Sequence, residues 1–452
     1  MSVVSPRLER AAVYRILWRW HFYAGLMVLP FILILAATGS IYLFKPQIDR
    51  WEERAFRDLP TTGSMAPSAQ VRAALAARPH ARLESYRLPE AAGDAAMVAL
   101  TDADGPVQMF VSPQAKVIGM LDPASRFTAV LVRIHGTLLA GTPGSWIVET
   151  VGCWAIVMIL TGLYLWWPRG GGAAGVIWPR LRQGRRVLWR DLHAVSGFWV
   201  SGLALVLLVS ALPWDGVWGE AFRLARVQTG NLRERPDWKI GAETHAGHHP
   251  DRPVPPPGAG NLLALDRIVA TTPVARLAGP VLVKPPGAPD RTGPAPGWTL
   301  KTEAQNRPRN IVVRYDDQGR EVSRKGFADK QPIDQLIAYG IAWHEGQLLG
   351  WPNIVAGLFT ALALIVMTVS GTVMWWRRRP SGTLGAPPLP EMSARMGGAL
   401  AILLVLAALL PMLALSLILV AVIERAVLAR VPRMRMWLGI PGRNSTATAG
   451  RG

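Results

Sequence analysis

Cysteine is almost missing from this chain of 452 residues, in which Cys153 is the single thiol. One cysteine excludes an intramolecular disulfide, an iron–sulfur cluster, a cysteine-based zinc site and a C-x-x-C-H haem attachment. The chain also lacks a Gly-rich nucleotide motif, so NAD(P)H or flavin, if used, must reside in a partner. Metal or redox chemistry therefore falls to His, Met, Tyr or carboxylate side chains.

Acidic residues are scarce as well, with 30 Asp and Glu against 49 Lys and Arg and a formal net charge of +19. Such a basic balance is found in nucleic-acid-binding proteins, but here much of the arginine borders long apolar runs. Half of the residues are hydrophobic, and many of the 19 Trp stand at the ends of those runs, as in membrane aromatic belts. The composition predicts a membrane protein with the lipid bilayer as its partner and no nucleic acid.

The most informative pattern is an apolar segment that follows a histidine and occurs twice. The first copy runs from His135 to Trp167 and the second from His344 to Trp376. Counted from each histidine, both have Leu at +4, Gly at +6, Pro at +8, a small hydroxyl and Gly at +26 and +27, and Trp at +31 and +32. A membrane span used twice predicts an internal repeat.

Apolar length and arginine placement together predict five spans, with the Arg-rich N-terminus and the loops after the second and fourth spans in the cytoplasm. The predicted order is a cytoplasmic N-terminus (1–19), a first span (20–44), an outer module (45–127), an interfacial helix with the second span (128–167), a basic cytoplasmic loop (168–192), a third span (193–212), a second outer module (213–340), an interfacial helix with the fourth span (341–376), a cytoplasmic loop (377–396), a fifth span (397–423) and a basic tail (424–452).

Two of these spans raise a question of length. One helix from His135 to Trp167 would be about 48 Å long, well beyond a bilayer, so Gly141–Gly144 is expected to separate a short interfacial helix from the span. The last apolar run is expected to form one tilted or Pro411-kinked helix, with a re-entrant arrangement as the alternative. A single crossing there leaves the Arg-rich tail outside, against the positive-inside tendency.

The two outer stretches read as small α+β modules. In the first, VRAALAARP predicts a helix, and the residues after it predict two or three strands with turns at Asp104-Gly105 and Ser112-Pro113. In the second, RNIVVRYDDQGREVSRKGF predicts a hairpin. The predicted fold class is a mainly α membrane protein: a pseudo-twofold repeat of 2+2 transmembrane helices, a fifth C-terminal helix and two small periplasmic modules.

Four histidines form two matched pairs in this topology. His21 opens the first span and His193 the third, both on the cytoplasmic side, and a Gly follows each four residues later. His135 and His344 precede the second and fourth spans on the outer side. Parallel repeats are related by an axis along the membrane normal, so equivalent histidines are expected to meet as one inner and one outer pair.

A pair of neutral imidazoles between apolar helices suits the axial positions of a b-type haem. Its propionates need cationic neighbours, for which Arg19, Arg133 and Arg190 are candidates because each lies two or three residues before one of the histidines. A lone histidine at a helix end is commonly interfacial, but four matched across two repeats favour ligation. Zinc would need carboxylates that the repeats do not supply in register. The prediction is two bis-histidine haem b cofactors.

Other polar residues lie outside this pattern. His245, His248 and His249 stand in a Pro-rich loop, which is either a separate weak metal site outside the membrane or a solvated loop without a metal. Glu149, inside the second span, is a candidate for proton handling or an acid that reaches water near the interface. His80 is expected to be a surface histidine.

The segments HGTLLAG and WHEGQLLGWP and the ending TGLYLWWP resemble the PepSY-associated transmembrane helix family of bacterial inner-membrane proteins. The resemblance covers roughly residues 12–380, and the outer modules resemble divergent PepSY domains. Characterised members include iron-regulated proteins and periplasm-facing ferric-siderophore reductases with two b-type haems. The resemblance implies that His21, His193, His135 and His344 are axial ligands in an inner-membrane protein.

These observations predict an oxidoreductase that passes electrons from an unidentified donor, on the cytoplasmic or membrane side, to a periplasmic acceptor. The resemblance implies a ferric siderophore as that acceptor, and a cupric ion or another periplasmic acceptor is the alternative. Reduction would release iron because hard oxygen chelators hold ferric iron more strongly than ferrous. The alternative is a non-enzymatic PepSY membrane protein that regulates a peptidase or assists an uptake system and needs no cofactor. A transporter would need polar residues at mid-membrane, where these spans have almost none.

Overall fold

The computed structural model describes residues 6–168, 174–230, 261–287, 289–290, 293–294, 297–390, 396–428 and 430–440. The chain divides into two compact units. The helical unit contains residues 1–40, 134–222 and 356–452, and the sheet unit contains residues 41–133 and 223–355.

Helices make up most of the described chain. In chain order they are α1 (Pro6–Tyr42), α2 (Lys45–Glu52), α3 (Pro67–Ala77), α4 (Phe127–Thr137), α5 (Gly141–Trp166), α6 (Arg185–Ala211), α7 (Gly216–Gln228), α8 (Leu262–Thr271), α9 (Pro332–His344), α10 (Trp351–Arg378), α11 (Gly397–Leu409), α12 (Pro411–Ile423) and α13 (Pro432–Leu438), with a π-helical turn over Glu424–Leu428.

Among the residues that the structure describes, five segments are long and apolar enough to cross a membrane: Glu9–Tyr42, Gly141–Trp166, Arg185–Trp214, Trp351–Arg378 and Pro411–Leu428. The sequence predicted this number, although the fifth segment begins later than the predicted span over 397–423. The helices of the first and third spans begin before the residues predicted to start those spans. Helix α1 begins at Pro6 and α6 at Arg185. Their Arg-rich leading residues contain no Gly, and Pro6 lies at the start of α1, where proline is tolerated. The arginines that precede each of these spans therefore belong to the same helix as the span and not to a separate polar segment.

The break between α4 and α5 lies at Leu138–Ala140, so the prediction that Gly141–Gly144 separates the helices is wrong. Leu138 and Leu139 have φ angles of 50° and 60°, which end α4. Pro143 falls in the first turn of α5, where its missing N–H needs no partner. A Cβ on Gly144 would lie 1.7 Å from the Thr137 carbonyl oxygen, so this close return of the chain requires glycine.

The last apolar run also differs from the prediction of one tilted or kinked helix over 397–423. Leu410 has φ −123° and ψ 90°, extended backbone that Pro411 favours in the residue before it, and it divides the run into α11 and α12. The two helices pack against each other, and α12 packs against α5. The C-terminal run is therefore a helical hairpin, which agrees with the re-entrant alternative and not with a single crossing.

The hairpin returns the chain to the N-terminal end of the first span. Arg19 donates to the carbonyl oxygens of Pro387 (2.6 Å) and Gly439 (2.7 Å), and Tyr23 donates to that of Leu438 (2.5 Å). The prediction that the tail lies on the opposite side from the N-terminus is therefore wrong. The corrected path agrees with the positive-inside tendency, because the Arg-rich tail joins the other basic segments.

Cysteine labelling tests the hairpin path of the C-terminal chain. The native Cys153 is buried and should add little labelling of its own. Arg10, Thr142 and Arg433 are exposed and suit single replacement by cysteine. In sealed cells, R10C and R433C are expected to be both protected from an impermeant maleimide or both labelled by it. T142C, at the beginning of α5 and on the other side of the membrane, is expected to show the opposite result. Matching behaviour of R433C and T142C would contradict the hairpin.

The sheet unit is built on one antiparallel sheet of eight strands. The strands are β1 (Arg82–Arg87), β2 (Ala96–Asp102), β3 (Gly105–Val111), β4 (Val117–Leu121), β5 (Val281–Lys284), β6 (Pro289–Asp290), β7 (Gly293–Pro294), β8 (Trp298–Thr302), β9 (Val312–Tyr315) and β10 (Glu321–Lys325). The sheet order is β10-β9-β8-β5-β1-β2-β3-β4, and β6 pairs with β7 separately.

The two predicted modules thus share a single sheet. Tyr86 of β1 pairs with Val283 of β5, which joins the four strands of residues 82–121 to the four of residues 281–325. Helices α3 and α8 pack together over one face, where Tyr86 and Trp298 are almost fully buried. The predicted helix over α3 and the β2–β3 and β9–β10 hairpins are confirmed, whereas β1 was not predicted.

Candidate functional site

Two histidines of the predicted inner pair meet within the helical unit. His21 lies on α1 and His193 on α6, with ring centroids 6.4 Å apart and ring planes at 86°. Neither residue is near the other in sequence, so their meeting depends on how the apolar helices pack. Each ring is also held by a neighbouring helix in a way that sets its tautomer.

His21 packs on the Thr161-Gly162 pair of α5. Its Nδ1 lies 3.0 Å from the Thr161 hydroxyl, and that hydroxyl donates its own proton to the Val157 carbonyl oxygen at 2.9 Å. Thr161 therefore accepts from the imidazole, which places the ring proton on Nδ1 and the lone pair on Nε2. A Cβ on Gly162 would lie 3.2 Å from His21 Cε1, so glycine makes room for the ring.

His193 is held similarly on α10. Its Nδ1 lies 2.8 Å from the Met367 carbonyl oxygen, which can only accept, so Nδ1 is again protonated and Nε2 carries the lone pair. A Cβ on Gly371 would lie 3.3 Å from the ring. Ser370 donates to the Val366 carbonyl oxygen at 2.7 Å, as Thr161 does to its own helix.

His135 repeats this arrangement at the far end of α1. Its Nδ1 lies 3.0 Å from the Thr38 hydroxyl, which donates to the Ile34 carbonyl oxygen at 2.8 Å. A Cβ on Gly39 would lie 3.3 Å from His135 Cε1. Helix α1 thus bears His21 near its beginning and supports His135 about 25 Å further along.

Sequence reasoning missed the role of these hydroxyl–glycine pairs. The repeat offsets mark Thr161-Gly162 and Ser370-Gly371 without giving them a function, and they do not include Thr38-Gly39. The available signal was a hydroxyl residue followed by glycine, which occurs in four spans, with two further pairs at Ser196-Gly197 and Ser201-Gly202 of the third span. What the sequence does not show is which histidine each pair supports.

His344 is the last residue of α9 in the sheet unit. The Asn353 side chain donates to the carbonyl oxygen of Trp343, the residue before His344, at 3.1 Å. This hydrogen bond fixes the turn after α9. Burial raises the pKa of the following Glu345, although Arg307 at 3.8 Å opposes it. The predicted pairing of His344 with His135 stays a prediction.

The three candidate propionate arginines differ in placement. Arg19 is 7% exposed and binds the carbonyl oxygens of Pro387 and Gly439, and it lies two residues from His21, so it faces another side of α1. Arg133 has the same two-residue offset on α4. Arg190 lies three residues before His193, on the same face of α6, and contacts the Asp191 carboxylate at 2.8 Å.

The remaining candidates are less informative. His80 is exposed, as predicted. His245, His248 and His249 lie outside the described residues, so their predicted metal site stays a prediction. Within the part of the chain that is described, no group of three or more His, Cys, Asp and Glu is placed to hold a metal ion.

Glu149 caps the helix that follows the third span. The Val217 and Trp218 backbone N–H groups donate to its carboxylate at 2.9 and 3.0 Å, and its side chain is almost fully buried. These are the orphan donors in the first turn of α7. The carboxylate in the second span therefore has structural partners.

Replacing Glu149 by alanine is expected to leave both donors unpaired and to cost about 1–3 kcal/mol of local stability. Amide hydrogen exchange of residues 216–222 should accelerate in Glu149→Ala and less in Glu149→Gln, which keeps an acceptor. Thr150→Ala, on an exposed side chain next to it, is the control. Unchanged exchange in Glu149→Ala would contradict the capping role.

The five apolar helices define a multi-pass membrane protein. The chain belongs to the family described as "PepSY-associated TM region", whose model matches residues 18–378. No curated protein matches the chain.

Proposed function

We propose that this protein is a haem-containing electron-transfer protein of the bacterial inner membrane, with its N-terminus in the cytoplasm. The observation that carries the proposal is the meeting of His21 and His193, whose ring centroids are 6.4 Å apart and whose Nδ1 atoms are both hydrogen-bonded. The Arg-rich segments at one end of the spans support the orientation.

The distance between the two rings fits a metal ion between them. An imidazole nitrogen lies about 2 Å from a bound metal ion, so rings on opposite sides of one ion have centroids about 6 Å apart. His21 and His193 would therefore be the residues that hold one b-type haem, which needs no cysteine attachment. The Nε2 lone pairs deduced for both rings are the donors that such ligation requires.

The neighbouring helices prepare these ligands. A ligating histidine usually donates its other ring N–H to an oxygen, which fixes its tautomer and orientation. The Thr161 hydroxyl and the Met367 carbonyl oxygen do this for His21 and His193. When bound, haem supplies one-electron redox chemistry at its iron. Arg190, on the same helical face as His193, is the best-placed cation for a propionate.

We extend the proposal to a second haem, with His135 and His344 as its ligands, as the repeat predicts. His135 supports this extension because Thr38 and Gly39 hold it as Thr161 and Gly162 hold His21. Helix α1 then takes part at both levels, with positions separated by about 25 Å along its axis.

The proposed reaction is one-electron reduction of a ferric siderophore on the periplasmic side, with the electron supplied by a donor on the cytoplasmic or membrane side. Ferrous iron binds hard oxygen ligands less strongly than ferric iron, so reduction favours release. The protein positions the histidine ligands, its apolar helices exclude water from them, and its arginines provide cations for the haem propionates.

The test is the haem content of the purified full-length protein and of single histidine variants. The unaltered protein is expected to carry two low-spin b haems. His193→Ala should lose one of them and His135→Ala the other, while exposed His80→Ala keeps both. Anaerobic reoxidation of the reduced protein by ferric siderophores then tests the acceptor. Haem-free protein from haem-replete cells would contradict the proposal.

A further inference from the structure

The sheet unit contains a cavity of about 1270 Å³ that the candidate haem ligands do not line. Its walls come from the loop after β8, the outer strands β8–β10, the beginning of α2 and the turn after α9. This volume exceeds the ordinary range for small-molecule sites, so a small inorganic anion would fill only a fraction of it.

One face of the sheet supplies cations to this cavity in register. Arg87 of β1, Lys301 of β8 and Lys325 of β10 stand in a single row across the strands, because Arg87 pairs with Leu282, Leu282 with Lys301, Lys301 with Val312, and Val312 with Lys325. Neighbouring strands are about 4.8 Å apart, so these cations recur about every 10 Å.

The strand pattern explains why the cations share a face. Alternate residues of a strand point to opposite sides of the sheet. In β8 and β9, Leu300 and Val313 are buried in the core, whereas Lys301 and Arg314 line the cavity. The part of the sheet formed by β8–β10, whose other side packs into the core, thus presents a basic surface to the cavity.

The balance of charge in the cavity is positive. Among the lining residues that the structure describes, ten are Lys or Arg and seven are Asp or Glu, an excess of three positive charges. The pKa of Glu303 is consistent with this excess of positive charge. Burial acts to raise that pKa, but Lys301 at 2.9 Å, together with Lys284 and Arg307, lowers the pKa below its ordinary value. A ligand of net negative charge is therefore favoured.

We propose that this cavity binds a polyanionic ferric chelate, in which carboxylate or catecholate oxygens hold the iron, and that Lys301, Arg314 and Lys325 provide its cationic wall. The identification of the ligand as an iron chelate rests on the proposed function, whereas its charge and size follow from the cavity. Neutral and cationic chelates of similar size are disfavoured.

The test uses gallium(III) complexes, which do not undergo the redox step and so report binding alone. Full-length protein in detergent is titrated with Ga(III)–citrate and with a neutral Ga(III) trihydroxamate. The anionic complex is expected to bind at least about tenfold more tightly at low salt and to lose this advantage at high salt. Equal affinity for the two gallium complexes would overturn the proposal. Inorganic phosphate that binds as tightly as Ga(III)–citrate and displaces it would also overturn the proposal.

Matched variants locate the site. Lys301→Gln and Lys325→Gln are each expected to weaken Ga(III)–citrate binding about five- to tenfold, and Lys325→Glu more, because each removes or reverses a charge at the wall. Arg320→Gln, an exposed cation of the sheet unit outside the cavity, is the control. Unchanged affinity in both lysine variants would refute the assignment.

Haem content separates this proposal from the proposed function. A protein that carries haem but fails to discriminate the gallium complexes contradicts the cavity assignment alone. A haem-free protein that still prefers Ga(III)–citrate, with the loss in Lys325→Gln, contradicts electron transfer and retains the anion site.

Discussion

Gly162→Leu and Gly371→Leu are each expected to reduce the haem content of the purified protein by about half. A Cβ at these positions already lies 3.2 and 3.3 Å from the rings of His21 and His193, and the larger side chain would take the space of the imidazole. Overpacking of this kind costs about 1–3 kcal/mol even where the structure adjusts, and a displaced ring would no longer hold the proposed haem. Pyridine haemochrome content per chain measures the loss.

Gly202→Leu is the control, because a Cβ on Gly202 of α6 meets nothing within 4 Å. It should retain full haem content. A milder companion is Thr161→Val, which removes the oxygen that accepts from His21 and should weaken haem retention about 10–100-fold, whereas Thr161→Ser keeps it. Full, tightly held haem in Gly162→Leu would show that His21 is not a ligand in the orientation described.

Glu53→Ala is expected to destabilise the sheet unit by about 3 kcal/mol, because the half-buried Arg87 and Arg126 lose the carboxylate that they share, although Arg126 keeps Glu52. Glu53 is 3% exposed and accepts from Arg87 at 2.6 Å and from Arg126 at 2.7 Å. Faster amide exchange across β1–β3 would measure the effect. Glu321→Ala breaks an exposed pair with Arg324 and should change exchange little.

The same carboxylate predicts how the sheet unit responds to pH. Burial acts to raise the pKa of Glu53, but Arg87 and Arg126 together hold the pKa below its ordinary value of 4.5. A lowered pKa stabilises the folded state above the unfolded value, and this contribution is lost as pH falls through the lower folded value. Protection factors, which correct for the intrinsic slowing of exchange at low pH, should therefore fall below about pH 4.5, and Glu53→Gln should flatten that dependence. A pH profile unchanged by the substitution would contradict this role.

Local pattern was sufficient for much of the architecture. The apolar runs identified the segments long enough to span a membrane, because the hydrocarbon thickness sets a length that sequence reveals directly. Turn residues such as Asp104-Gly105 located the β2–β3 hairpin, since the pairing of adjacent strands depends on neighbouring residues. The repeat offsets likewise singled out the histidines before any packing was known.

Long-range packing decided the rest. Sequence predicted two outer modules, but the pairing of Tyr86 with Val283 makes them one sheet and creates the basic face that lines the cavity. Sequence placed the C-terminal tail opposite the N-terminus, but the hydrogen bond from Arg19 to Gly439 brings the two together. Neither contact has a local signature, because its partners are separated by nearly 200 residues or more in the chain.

By itself, the sequence determined that this chain is a multi-pass membrane protein with histidines at matched positions. Only the tertiary structure decided that His21 meets His193 and that Thr161 and Gly162 orient and accommodate the first ring. A span and a turn are encoded in the residues that form them. The tautomer of an imidazole and the space beside it depend on an oxygen and a missing Cβ that another helix brings to it.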